Sequence, residues 1–88
     1  MVKYEIRFTK AAVKDIKLLK QKGLWDKAKD LIDIIRENPY ATPPSYEKLY
    51  WDVEGAYSRR INIQHRLVYQ VYKKEKAIKI ISMWGHYE

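Results

Sequence analysis

Between Val2 and Phe8 the chain alternates: Val2, Tyr4, Ile6 and Phe8 share one parity, and Lys3, Glu5 and Arg7 the other. A period of two belongs to a strand with one buried face, so residues 2–8 predict a first strand. The spacing then turns helical. Ala12, Val13, Ile16 and Leu19 form an apolar stripe, Thr9 offers a side-chain oxygen to the free N–H groups of a helix start, and Gly23 can end the helix in the left-handed conformation. A second helix is marked by Ala28, Leu31, Ile32 and Ile35 at i, i+3, i+4 and i+7, with Lys29, Asp30 and Asp33 facing elsewhere. Pro39 stops it by disfavouring helical geometry at Asn38. Residues 39–46 hold all three prolines of the chain and read as a stiff connection.

From Leu49 onward the pattern is again that of strands, predicted at 49–53, 57–64, 66–73 and 77–83, with turns at Gly55 and at 73–76. Short gaps between them favour antiparallel hairpins. The order β-α-α-β-β-β-β predicts an α+β fold in which two N-terminal helices pack on one face of a mainly antiparallel twisted sheet and leave the other face open. With 88 residues the chain has room for one core, so residues 1–88 are expected to form a single domain.

Charge narrows the choice of partner. Lys and Arg number 18 against 11 Asp and Glu, a formal net charge of +7, which suits a polyanion or an acidic protein. Cysteine is absent and the first ten residues alternate instead of running apolar, so a cytoplasmic protein is expected, without secretory signal or membrane span.

Ser58, Arg59, Arg60, Asn62, Gln64, His65 and Arg66 crowd two adjacent predicted strands and their turn. Guanidinium groups pair with phosphate oxygens, and a sheet surface rich in Arg and Tyr can stack unpaired bases. Arg59 shares the parity of Ile61 and Ile63 and is read as an ordinary strand residue covering a solvent face. Metal-free RNA cleavage needs a base for the 2′-hydroxyl, a cation at the phosphorane and an acid for the departing 5′-oxygen; Glu47, Arg66 and His86 are side chains of these three types. The chain end, Gly85-His86-Tyr87-Glu88, follows an apolar strand, which is expected to hold His86 and Tyr87 at the sheet edge. Lys10, Lys14 and Lys17 lie opposite the apolar stripe of the first helix, where they could touch RNA backbone or simply face solvent. His65 and His86 lack a partner at metal-ligand spacing, and there is no glycine-rich phosphate loop, so neither metal nor cofactor is expected.

The run YSRRINIQHRLVY (Tyr57–Tyr69), with the terminal His86-Tyr87, resembles the YoeB/Txe toxins of type II toxin–antitoxin systems, small proteins of the RelE-like superfamily. The segment Tyr46–Leu49 and Gly55 extend the likeness upstream. The resemblance implies a ribosome-dependent endoribonuclease that cuts mRNA in the ribosomal A site, with Glu47 as general base, Arg66 as transition-state stabiliser, His86 as general acid and Tyr87 as its positioning or stacking partner. Arg60 would hold phosphate nearby. It implies a homodimer and a cognate YefM- or Phd-like antitoxin with a segment that folds on binding. Tyr50 stands where the family usually has a phosphate-supporting lysine, so Tyr50 and Lys48 are counted as candidate base or phosphate contacts. Two other functions fit the same fold: a ParE-like toxin acting on a topoisomerase, and an RNA-, ribosome- or antitoxin-binding protein with weakened catalysis.

Overall fold

A computed structural model describes residues 3–49 and 55–85. Over these the order is β1 (Glu5–Phe8), α1 (Lys10–Gln21), α2 (Trp25–Glu37), β2 (Glu47–Leu49), β3 (Ala56–Arg60), β4 (Arg66–Tyr72) and β5 (Ala77–Ser82). The five strands form one sheet in the order β1-β5-β4-β3-β2. All neighbours run antiparallel except β1, which lies parallel to β5. Among the described residues no helix is long and apolar enough to cross a membrane.

Both helices are built largely by the signals in their own sequence. Thr9 accepts from the backbone N–H of Ala12 and so caps α1. At the other end Gly23, at φ +70°, lets its own N–H reach the Lys20 carbonyl and that of Leu24 reach Leu19, a Schellman ending. The four apolar positions of α2 are all buried, whereas on α1 only Ala12 and Leu19 are; Val13 stays 53% exposed. The predicted α1 stripe was one residue too wide, because only part of that helix face meets the sheet.

The strands are shorter than their alternation suggests, and each difference has a pairing reason. β1 begins at Glu5 because its partner β5 begins at Ala77; Tyr4 bonds instead to the carbonyl of Arg36. β3 ends at Arg60 instead of running to residue 64. There Asn62 Oδ1 accepts from the N–H groups of Gln64 and His65, and the His65 carbonyl accepts from Ile61 and Asn62, closing a tight side-chain-supported turn. β2 begins at Glu47, two residues before the predicted start, and positions 50–53 of that predicted strand lie outside the described residues.

Ile61, Leu67, Tyr69, Ile78 and Ile80 join Leu19, Leu31, Ile32 and Ile35 in the core between helices and sheet. Pairing of Glu47 with Ser58 and of Arg60 with Arg66 puts these four residues on the opposite, helix-free face. That face is only partly open, since Ala56, Ser58 and Val68 on it are buried.

Candidate active site

Glu47 lies opposite Ser58 across β2 and β3, and Arg66 lies diagonal to Ser58 across β3 and β4, so three adjacent strands bring the three side chains together. Arg66 Nε donates to Ser58 Oγ at 3.0 Å, and its Nη2 lies 3.4 Å from Glu47 Oε1. The two partners differ sharply in solvation: the Arg66 side chain is 14% exposed, that of Glu47 71%. Partial desolvation strengthens the attraction of the guanidinium for an anion, while the exposed carboxylate is free to meet a ligand. Ser45 and Arg60 complete a pocket of about 250 Å³ around the pair.

Chemically this is a carboxylate able to accept a proton, beside a fixed cation and a second, exposed arginine. Such a pocket suits a phosphodiester, whose oxygens two guanidinium groups can bind in pairs.

The structure thus brings together Glu47, Arg60 and Arg66. It does not bring Lys48 to them: Lys48 pairs with Tyr57 on the other face and borders a groove of about 770 Å³ with Tyr40, Tyr72 and Lys73. Lys10, Lys14 and Lys17 are exposed on α1, which packs on the face of the sheet away from the pocket. Tyr50, His86 and Tyr87 lie outside the described residues.

Arg59 is the clearest correction. Instead of covering a solvent face it is fully buried, with Nε donating to Tyr69 Oη at 3.0 Å, Nη1 to the Pro44 carbonyl at 2.6 Å and Nη2 to the Pro39 carbonyl at 3.0 Å. It ties the proline-rich connection to the sheet. Its parity with Ile61 signalled the inward direction, and the proline carbonyls supply the acceptors a buried cation requires.

Ser45, inside the proline-rich connection, is the pocket residue that the sequence pattern does not mark. His65, one of the polar residues crowding these strands, turns toward the chain end: its Nδ1 accepts from the Gly85 N–H at 2.8 Å and its ring stacks on Trp84.

Fold and pocket together define a small basic α+β domain that carries paired charges on the helix-free face of its sheet. Comparison with known proteins gives that description a family. Residues 8–87 match the model of the YoeB-like toxin of bacterial type II toxin–antitoxin systems. Toxin YoeB of Synechocystis is 38% identical over 74 residues, 84% of this chain and 77% of that protein. The YoeB/ParE toxin from Agrobacterium tumefaciens superposes with a TM-score of 0.85 at 28% identity, covering 94% of this chain and 99% of that one. In the YoeB–YefM complex from Staphylococcus aureus the matching chain gives 0.78 at 38% identity, with 96% and 98% covered. The YoeB dimer from the same organism gives 0.80 at 37%, with 97% and 99% covered. The chain belongs to the family of YoeB-like toxins of type II toxin–antitoxin systems.

Proposed function

We propose that this toxin is a ribosome-dependent endoribonuclease that cleaves mRNA in the A site using its own side chains instead of a metal. The observation that carries the reading is the approach of the Glu47 carboxylate to within 3.4 Å of the Arg66 guanidinium in a pocket that also holds Arg60. Glu47 takes the proton from a 2′-hydroxyl as that oxygen attacks the neighbouring phosphorus. Arg66, oriented by Ser58, stabilises the charge that builds on the phosphorane oxygens, and Arg60 binds the adjacent phosphate. The bond from phosphorus to the 5′-oxygen breaks, His86 donates the proton that oxygen needs, and Tyr87 positions His86 or stacks on a base. The products are a 2′,3′-cyclic phosphate and a 5′-hydroxyl.

The YoeB–YefM complex from S. aureus supports a YefM-like cognate antitoxin for this chain, and the YoeB dimer from that organism supports a homodimer. Such an antitoxin would silence the toxin by covering the charged face.

The test is to add purified protein to translating ribosomes and map mRNA ends, with Glu47→Gln in parallel. Cuts within the A-site codon that vanish in a folded Glu47→Gln variant are expected. Intact mRNA on stably bound ribosomes would replace the reading with a binding-only toxin, and inhibition of a topoisomerase without RNA cleavage would replace it with a ParE-like one.

A further inference from the structure

Strand β5 ends at Ser82, so the backbone beyond it has no ladder to hold it. It is held nevertheless. Met83 donates its N–H to Asp15 Oδ2 on α1 at 2.9 Å, and the Gly85 carbonyl accepts from the Arg66 N–H at 3.1 Å. The Gly85 N–H donates to His65 Nδ1 at 2.8 Å. Gly85 sits at φ +88°, so the chain turns there in a conformation that side chains other than glycine rarely adopt.

His65 is itself rigidly placed. It is 8% exposed, and its ring stacks on Trp84 with centroids 4.0 Å apart at 24°. Its own N–H donates to Asn62 Oδ1 at 2.7 Å, while its carbonyl receives Ile61 and Asn62. Because Nδ1 accepts, the ring carries its proton on Nε2. The imidazole is therefore a fixed acceptor that stops the C-terminal segment one residue before His86. Its neighbour Arg66 holds the same residue through the Gly85 carbonyl while turning its side chain toward Glu47.

We propose that His65 is a positioning residue for the reaction: through Gly85 it sets where the chain bearing the general acid leaves the sheet, in register with Arg66. This rests on the reading of His86 as the acid. His65 touches no reacting atom; its effect is on the precision with which His86 meets the 5′-oxygen. An error of about 1 Å in such placement costs up to roughly a hundredfold in rate.

The experiment compares single-turnover cleavage on saturated, programmed ribosomes for the parent, His65→Phe, His65→Asn, His86→Ala and the double variant His65→Phe/His86→Ala. His65→Phe keeps a ring against Trp84 and removes the acceptor; His65→Asn puts an amide oxygen where Nδ1 was. The expected result is a fall of about tenfold to a hundredfold in kcat for His65→Phe, with ribosome affinity unchanged and faster hydrogen exchange at the Gly85 amide. His65→Asn should recover most of the rate, and in the His86→Ala background His65→Phe should change nothing further. A parental kcat for folded His65→Phe overturns the proposal while leaving the acid reading intact; so does an additive loss in the double variant. A parental rate for His86→Ala overturns the acid reading and this proposal with it. If His65→Phe does not fold, His65→Gln, whose acceptor lies one bond further out, takes its place with the same expected loss.

Discussion

Tyr69 and Arg59 share one buried hydrogen bond: Arg59 Nε donates to the Tyr69 hydroxyl, which in turn donates to the Pro39 carbonyl at 2.8 Å. Arg59 lies over the ring of Tyr46 as well, 5.0 Å from its centroid. The cluster closes the proline-rich connection onto β3 and β4, the strands that carry Ser58 and Arg66. Burial pushes the Tyr69 hydroxyl up from its ordinary pKa, and the Arg59 guanidinium pulls it partly back.

Arg59→Met should therefore be a stability variant. It leaves the Pro44 carbonyl and the Tyr69 hydroxyl without their donor in a partly buried setting, a loss of about 2–3 kcal/mol. Urea denaturation measures it, and a change under half a kcal/mol would show that the cluster is dispensable.

At Arg66 the expectation is the reverse, a loss of rate with little loss of stability. Arg66→Lys keeps the charge but cannot hold Ser58 and a phosphate together through a planar fork. Single-turnover cleavage should drop by about a hundredfold to a thousandfold, the scale set by loss of one preorganised contact to the transition state. A rate near that of the parent would mean that charge alone suffices.

Ser58→Ala probes the same guanidinium from behind. Removing the acceptor of the 3.0 Å bond frees Arg66 to sample other rotamers. A loss of about tenfold in rate is expected, equivalent to roughly 1.4 kcal/mol of transition-state stabilisation. Equal rates for parent and variant would assign Arg66 orientation to Glu47 instead.

Tyr40 gives a pH dependence that can be signed. Desolvation first, and then its hydrogen bond with Tyr57, raise its pKa to about 12 from the ordinary 10.0. The folded state thus keeps this proton where the unfolded chain loses it. The resulting stability is complete below pH 10 and disappears as pH rises through about 12. The denaturant midpoint should fall over that window, and Tyr40→Phe should flatten the fall. An identical pH profile for both proteins would remove Tyr40 from the linkage.

Lys10, Lys14 and Lys17 lie on the far side of the sheet from the pocket, so their charge can act on binding but not on the chemical step. Replacing all three with glutamate should weaken ribosome binding and reduce its dependence on salt, since fewer counterions are released. The single-turnover rate at saturation should stay within about twofold, because the pocket and its transition-state contacts are untouched. An unchanged salt slope would show that these lysines face solvent in the complex.

What the sequence determined by itself is what depends on near neighbours along the chain. The cap at Thr9, the left-handed stop at Gly23, the buried face of Ala28, Leu31, Ile32 and Ile35, and the α+β order all follow from periods and end signals a few residues wide. The motif around Arg66 likewise pointed to the family that the comparisons establish. The tertiary structure alone decided whatever needs a distant partner. β1 is short because β5 starts at Ala77, and β1 lies parallel to it because the helices carry the chain back before it pairs. Glu47 meets Arg66 only because β3 lies between their strands in a register that puts both on one face. Arg59 is buried because the proline carbonyls come to it, and His65 holds Gly85 because the last strand ends beside the turn after β3. Strand register and the meeting of side chains remote in sequence are set by closing the sheet over one core, and no local periodicity encodes that closure.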